Sequence, residues 1–347
     1  MSFGLPYKGS KSAIAKDIIG VLPGGNRLVD LFCGGCAITD YAMKKTDKFN
    51  QFLINDIDER NPKTYMKALN GGFRNEDRWI SRQDFFKLKE TDDYARLCFS
   101  FGNNGKTYMY GPQIEPYKRA IHHIVFWEDY SKMETLCPAV VGIAHEYCDG
   151  KDRKGRRLAF GKAVAAHIKE VGSVEYWQSN PMFRSVNIKW SEDRRGMSSC
   201  QWNRGSPLES LERLERLKSL ENLECLERLQ SLQSLQSLES LERLERLESQ
   251  NVQIVASADD YCNYVYQDDD VVYCDPPYAN TSKYTVDFDN EGFWQWCRTR
   301  NFPVYISEYR APEDFISVWS KEKRRLFSSS NLSANAIEHL FLHKKWI

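Results

Sequence analysis

The sequence predicts an α/β fold, a largely parallel sheet flanked by helices with a second lobe inserted into it, and three observations carry that expectation. Short apolar strands alternate with helical stretches towards both ends of the chain, a glycine pair follows the first strand at Gly34 and Gly35, and two prolines follow a later strand at Pro276 and Pro277. Arg27–Phe32 reads as the first strand, opening into Cys33-Gly34-Gly35-Cys36, and Ala37–Lys45 continues as a helix. Phe52–Asp56 reads as a second strand ending in acids. Val252–Ala256, Val271–Cys274, Val304–Ile306 and Glu338–His343 supply further strands, and Glu313–Lys323 reads as a helix. Between about residues 60 and 207 the pattern is less regular and richer in aromatic and charged residues. The expected division is therefore a catalytic domain of residues 1–60 with 251–347, a lobe of residues 61–207, and an insert at 208–250.

That insert is the most conspicuous feature of the chain. From Leu208 to Leu247 leucine falls at every third position, fourteen times without a miss, with polar pairs such as Glu-Ser, Glu-Arg and Gln-Ser between. A helix advances about 100° per residue, so a period of three moves each leucine back by about 60° and spreads the series around the helix. The pattern is neither a coiled-coil heptad nor a membrane span. It suits a stacked solenoid or a loosely ordered helical insert, and a short-repeat expansion without catalytic role is the favoured reading. A module for binding a partner protein or reaching DNA is the alternative.

At 347 residues the chain can bury a full core, and its 41% hydrophobic content contains no run of the about 18 apolar residues a membrane helix requires. The segment Met1–Lys16 shows no export signal, so a soluble cytoplasmic protein is expected. The ten cysteines follow no even framework and are expected as reduced thiols. Cys33-x-x-Cys36 alone would suit a redox pair or half a zinc site, but no second pair or neighbouring histidines complete one, and no metal is expected. The 48 basic and 48 acidic residues cancel. Setting aside the ten Glu and six Lys plus Arg of 208–250 leaves 42 basic and 38 acidic residues, a modestly basic body compatible with nucleic acid.

The chemistry concentrates in Val271-Val272-Tyr273-Cys274-Asp275-Pro276-Pro277-Tyr278. Two prolines after a strand stiffen the backbone and cannot pair onward, so Asp275 and Tyr278 are held in a rigid loop at the strand's carboxyl end, where open α/β sheets bind ligands. An exocyclic amine is a poor nucleophile because its lone pair is delocalised into the ring. Hydrogen bonds from its N–H groups to Asp275 and the Pro276 carbonyl would favour a more tetrahedral nitrogen, and Tyr278 would stack on an extruded base. The bland alternative is an ordinary Asp-Pro turn. In Asp30-Leu31-Phe32-Cys33-Gly34-Gly35 the glycines let the main chain approach a ligand closely. Asp56 lies 21 residues beyond Gly35, where a strand-end carboxylate can accept both hydroxyls of a ribose; a solvated acid is the alternative. Tyr7-Lys8-Gly9-Ser10-Lys11 is not a phosphate loop and by itself reads as a turn before a helix.

Taken in order, Tyr7 with Lys11, the Asp30–Gly35 loop, Asp56 and Asp275–Tyr278 resemble the Dam-type class of adenine-specific DNA methyltransferases, especially its phage-borne members. The resemblance spans roughly residues 5–75 and 250–345, with a looser match near Ser100–Tyr117; the leucine tract falls outside it. It implies a Rossmann-like, mixed seven-stranded methyltransferase sheet with a mainly helical target-recognition lobe, S-adenosylmethionine as methyl donor, and the N6 of a flipped-out adenine in double-stranded DNA as acceptor. Asp275, Pro276, Pro277 and Tyr278 are then the catalytic candidates. Tyr7, Lys11, Asp30, Phe32, Gly34, Gly35, Asp56 and Asp275 are the cofactor candidates. Asp259 and Asp260 lie near where the family contacts the cofactor's adenine, and the sequence does not choose between them. Ser307-Glu308-Tyr309 and Glu338–His343 resemble the family's later strands without an assignable role. Modification of phage or mobile-element DNA against restriction is the setting the resemblance suggests.

For DNA contact, Phe99–Tyr110 combines aromatics, turn residues and a lysine, and reads either as a loop approaching DNA through Asn104 and Lys106 or as a plain hairpin turn. Lys151, Arg153, Lys154, Arg156 and Arg157 form the densest basic run, with Arg153, Arg156 and Arg157 expected on phosphates; a solvated face is the alternative. Two other functions stay open from sequence alone: methylation of RNA adenine or of cytosine N4, and an interaction scaffold on an inactive enzyme body, with the leucine tract as its binding element.

Overall fold

The computed structural model describes residues 2–136, 138–160, 236–245, 247, 252–277, 288–323 and 336–347. Tyr278 and most of the leucine tract lie outside these residues.

A seven-stranded mixed sheet forms the core, with strands β1 (Arg27–Asp30), β2 (Gln51–Asn55), β3 (Gln253–Ser257), β4 (Asp270–Cys274), β5 (Val304–Glu308), β6 (Phe315–Lys323) and β7 (Ala336–His343). Their spatial order is β3-β2-β1-β4-β5-β7-β6. The first five run parallel, and β7 enters antiparallel between β5 and β6. Strands β1 and β4 are apolar along nearly their whole length because both faces are covered: Leu28, Val29, Val272 and Cys274 are all buried. Register is pinned where Arg27 opposes Asp270, their side chains forming a two-pronged pair at 2.8 and 2.6 Å.

The order of strands reverses between β1 and β4, and an open sheet leaves a crevice for ligands at such a point. Asp30 ends β1, while Asp56 and Asp275 immediately follow β2 and β4. Helix α1 (Ala15–Val21) precedes the first strand, and α2 (Ala37–Lys45) follows its glycine bend. Cys36 caps α2 at φ 55°, and the helix carries Asp40 in its first turn and Lys44 and Lys45 in its last, the arrangement its dipole favours.

The stretch Glu313–Lys323 is not helical. It holds β6, which pairs with β7 from Phe315 opposite His343 to Lys323 opposite Ala336. Phe-Ile-Ser-Val-Trp-Ser is rich in β-branched and aromatic residues, and Phe315 turns inward while Ile316 is half exposed, the alternation of a strand with one covered face. The charged end Lys321-Glu322-Lys323, which suggests a helix in sequence, suits an edge strand, where lysines discourage further pairing.

Helices α3 (Arg60–Leu69), α4 (Arg82–Leu88), α5 (Asp93–Cys98), α6 (Glu115–Trp127), α7 (Ser131–Leu136) and α8 (Pro138–Cys148) follow β2. Residues 153–160 are helical (α9), then come α10 (Gln236–Glu245) and α11 (Asn290–Thr299). The chain groups into two compact units. One contains the sheet and comprises Met1–Glu76, Lys87–Thr107 and Ser240–Ile347; the other comprises Asp77–Phe86 and Tyr108–Glu239. Among the described residues no helix is long and apolar enough to cross a membrane.

Candidate active site

A cavity of about 360 Å³ opens at the carboxyl ends of the parallel strands. It is lined by Tyr7, Lys11, Asp30, Phe32, Gly34, Gly35, Asp56, Asp275, Pro276 and Pro277, so the described residues expected at a cofactor or catalytic site meet in one place. Asp259 and Asp260 line it together, and the structure does not separate them. Both cap the local turn: Asn263 Nδ2 donates to Asp259 Oδ1 at 2.9 Å, and the Cys262 N–H donates to Asp260 Oδ1 at 2.8 Å.

The glycine bend is shaped by its neighbours. Gly34 has φ +46°, and a Cβ there would stand 2.9 Å from Cε1 of Tyr7. At Gly35 a Cβ would stand 2.6 Å from the Cβ of Tyr7. Only glycine lets the tyrosine lie against this bend. Asp56 holds the bend from the other side: its Oδ2 accepts the Gly34 N–H at 2.8 Å, while its Oδ1 accepts the Asp58 N–H at 2.9 Å. Burial nevertheless pushes the Asp56 pKa up, against the help of those N–H groups.

Asn55 ties three strand ends together. Its Nδ2 donates to the carbonyls of Leu31 and Asp259 at 3.1 and 3.0 Å, and its Oδ1 accepts from the Asp259 N–H and the Tyr264 hydroxyl, each at 2.9 Å. Asn55 belongs to none of the motifs singled out in the sequence, and its trace there is a lone amide closing the apolar run Phe52-Leu53-Ile54.

At the other wall Lys11, only 4% exposed, places Nζ 2.8 Å from Asp275 Oδ1 and 3.3 Å from Glu338 Oε1. Burial alone would discharge this ammonium, but the two carboxylates outweigh it and raise its pKa. Glu338 also accepts from Ser307 Oγ at 3.1 Å. The antiparallel strand β7 thus reaches the corner after β4 through one buried acid and one lysine. A lone glutamate within Ala-Ile-Glu-His-Leu-Phe-Leu-His was its trace in the sequence.

Among the described residues seven aspartates line the cavity, with two lysines, Lys8 and Lys11. Burial pushes Asp30 up to about 7, against a 2.8 Å hydrogen bond from Thr39, with the charges of Asp275 and Asp56 adding to the rise. Glu308 is pushed up to about 7 by burial, the Tyr309 N–H opposing and Asp275 and Glu338 adding. Such a cavity favours a ligand bearing positive charge. Phe32 forms its aromatic side, in edge contact with Phe288 at 5.6 Å and near Tyr261 at 5.5 Å. Cys33 and Cys36 are buried free thiols whose pKa values burial raises, which makes them poor nucleophiles.

The expected DNA-facing residues are placed less uniformly. Asn104 and Lys106 sit on a loop whose base is closed by the Phe101 N–H donating to the Thr107 carbonyl at 2.8 Å, with Lys106 and Phe101 exposed. Arg153 lies over the Phe126 ring at 5.2 Å, and Arg157 reaches Glu239 at 3.3 Å. Arg156 is buried. Its Nε donates to the Val125 carbonyl at 2.8 Å and its Nη1 to Glu128 and the Lys151 carbonyl, so the guanidinium joins α9 to the end of α6 instead of facing a phosphate.

The family described as D12 class N6 adenine-specific DNA methyltransferase matches residues 7–118 and 229–346. No curated protein matches the sequence. The match resumes at residue 229, inside the leucine tract, which corrects the expectation that the whole tract lies outside the family's pattern.

Proposed function

The chain belongs to the D12 class N6 adenine-specific DNA methyltransferase family, and from that premise we propose that the cavity at the strand ends holds the methyl donor on one side and a flipped-out adenine on the other. The activity itself, methylation of adenine N6 in DNA with S-adenosylmethionine, is that of the family. One observation carries the assignment of the site: the acids that end β1 and follow β2 and β4 meet around a glycine bend in a single cavity where, among the described residues, seven aspartates outnumber two lysines.

The residues suit the donor chemically. A sulfonium and an ammonium are stabilised by the carboxylates, and the close approach permitted at Gly34 and Gly35 suits the amino-acid end of the cofactor beside Tyr7, Lys11 and Asp30. Asp56 suits the ribose hydroxyls, and the aromatic side at Phe32 suits the adenine ring, with Asp259 and Asp260 at its edge. S-adenosylmethionine supplies the electrophilic methyl group when bound. Asp275 and the Pro276 carbonyl accept the N–H groups of the target amine and turn its lone pair towards that carbon, while Lys11 holds Asp275 Oδ1 and so orients the carboxylate. Pro276 and Pro277 keep the corner from yielding. Tyr278 completes this corner in the reading as the ring on which the base stacks.

In this reading residues 61–207 form the target-recognition lobe, and Asn104, Lys106, Arg153 and Arg157 contact double-stranded DNA. Arg156 supports the lobe from within. The biological setting of the reading is site-specific modification of phage or mobile-element DNA.

The test is Asp275→Ala with tritiated S-adenosylmethionine and a panel of duplex DNA, single-stranded DNA and RNA. Methyl transfer to adenine N6 of duplex DNA falls by on the order of 10³ while cooperative unfolding is kept. Activity within about tenfold of the parent overturns the assignment.

A further inference from the structure

The leucine tract ends inside the unit that contains the sheet. Leu241 and Leu244 of α10 and Leu247 just after it are at most 2% exposed. Because leucines three apart step around a helix by about 60°, their burial draws the residues between them inward as well. Ser240 is buried and accepts from Asn103 Nδ2 at 3.1 Å. Arg243 turns to the N-terminal segment: its Nε donates to the Gly4 carbonyl at 2.7 Å, its Nη2 donates to the Phe3 carbonyl and lies 3.4 Å from Ser10 Oγ.

The same short segment is gripped from other directions. The Gly4 N–H donates to Asp40 Oδ2 at 2.9 Å, and the Phe3 N–H donates to Ser12 Oγ at 2.6 Å. Gly4 has φ +69°, and a Cβ there would collide with the Gly35 carbonyl oxygen, to which the Leu5 N–H donates at 2.7 Å. Phe3–Leu5 therefore rests on the glycine bend. Tyr7 and Lys11, which follow it in the chain, line the cavity.

We infer that Arg243 is a positioning residue for the methyl donor: a guanidinium from the leucine-repeat helix fastens two successive carbonyls of the segment that backs the glycine bend and leads into Tyr7 and Lys11. A guanidinium suits the task because it keeps its charge at every working pH and offers several donors in one plane. The final triplets of the tract are thereby part of the cofactor site's support. The inference rests on reading the cavity as the S-adenosylmethionine site.

Calorimetric titration of full-length parent, Arg243→Ala, Arg243→Lys and Leu241→Ala with S-adenosylmethionine, alongside thermal melts and steady-state kinetics, tests it. Arg243→Ala weakens cofactor binding about tenfold, raises KM for the cofactor in parallel and leaves kcat within about twofold, because two charge-assisted hydrogen bonds that order the loop are lost. Arg243→Lys recovers part of the affinity. Leu241→Ala lowers the melting temperature through lost packing and shifts affinity less than Arg243→Ala does. Unchanged affinity in Arg243→Ala overturns the inference, as does an equal loss of affinity in Leu241→Ala. If the parent itself fails to bind S-adenosylmethionine, the reading of the cavity fails, a result distinct from either.

Discussion

Among the described residues seven aspartates line the strand-end cavity, whereas Arg156, in the basic run 151–157, is closed upon backbone carbonyls and a glutamate. Both regions concentrate charge, and in sequence both read as binding surfaces. The difference lies in what answers the charge. Asp30, at the cavity, is pushed up to about 7 by burial with the charges of Asp275 and Asp56 adding, a state that a nearby cation would relieve. Arg156 has its partners in its own unit and leaves no demand for an external phosphate.

Three experiments sharpen or break this contrast. Lys11→Met removes the cation between Asp275 and Glu338 and leaves two acids facing each other in a buried place, so unfolding by urea should show a loss of about 3–5 kcal/mol. A loss below about 1 kcal/mol would mean the acids do not depend on Lys11. Arg156→Ala should cost about 1–3 kcal/mol of stability, through the carbonyls it abandons, without altering how DNA affinity falls with salt. A flatter salt dependence in that variant would return Arg156 to the interface and collapse the contrast.

The smallest effect is on pH dependence. Asp30 and Glu308 have folded values near 7 against unfolded values of about 4, so between these the folded state holds protons that the unfolded chain has released. Their contribution to stability is complete below about pH 4 and is lost as pH rises through about 7. Asp129, held at about 2 by hydrogen bonds from Ser131 and His123, and Asp314, held at about 2 by Arg298, act in the opposite sense, and only as pH falls from about 4 through 2. His122, lowered to about 4 by burial, opposes Asp30 and Glu308 between about 4 and 6.5, so the test is a difference: from about pH 4 to 7 the melting temperature of Asp30→Asn should fall less, or rise more, than that of the parent. An identical slope in that variant would show that Asp30 is not protonated in the folded state.

Residues set by backbone geometry were legible in the sequence. Strands β1, β2 and β4 are apolar runs because both faces are covered, and the acids and glycines directly after them occupy the one edge where an open sheet binds ligands. That Asp30, Gly34, Gly35, Asp56 and Asp275 line one cavity follows from that rule and the spacing. Residues set by long-range packing were not legible. The strand at Phe315–Lys323 depends on its pairing with β7, and the approach of Glu338 to Lys11 spans more than three hundred residues of chain. Arg156 and Arg243 look alike in sequence, each an arginine in a charged stretch. Only their neighbours show that one ties α9 to the end of α6 and the other holds the segment behind the glycine bend.

The most direct test of the central claim is a crystal structure with S-adenosylhomocysteine bound. The ligand is expected in the strand-end cavity, its ribose hydroxyls on Asp56, its amino-acid end beside Tyr7, Lys11 and Asp30, and its sulfur turned towards the corner at Asp275 and Pro276. Ligand density elsewhere on the molecule, or in the cavity with its sulfur turned away from Asp275, would contradict it.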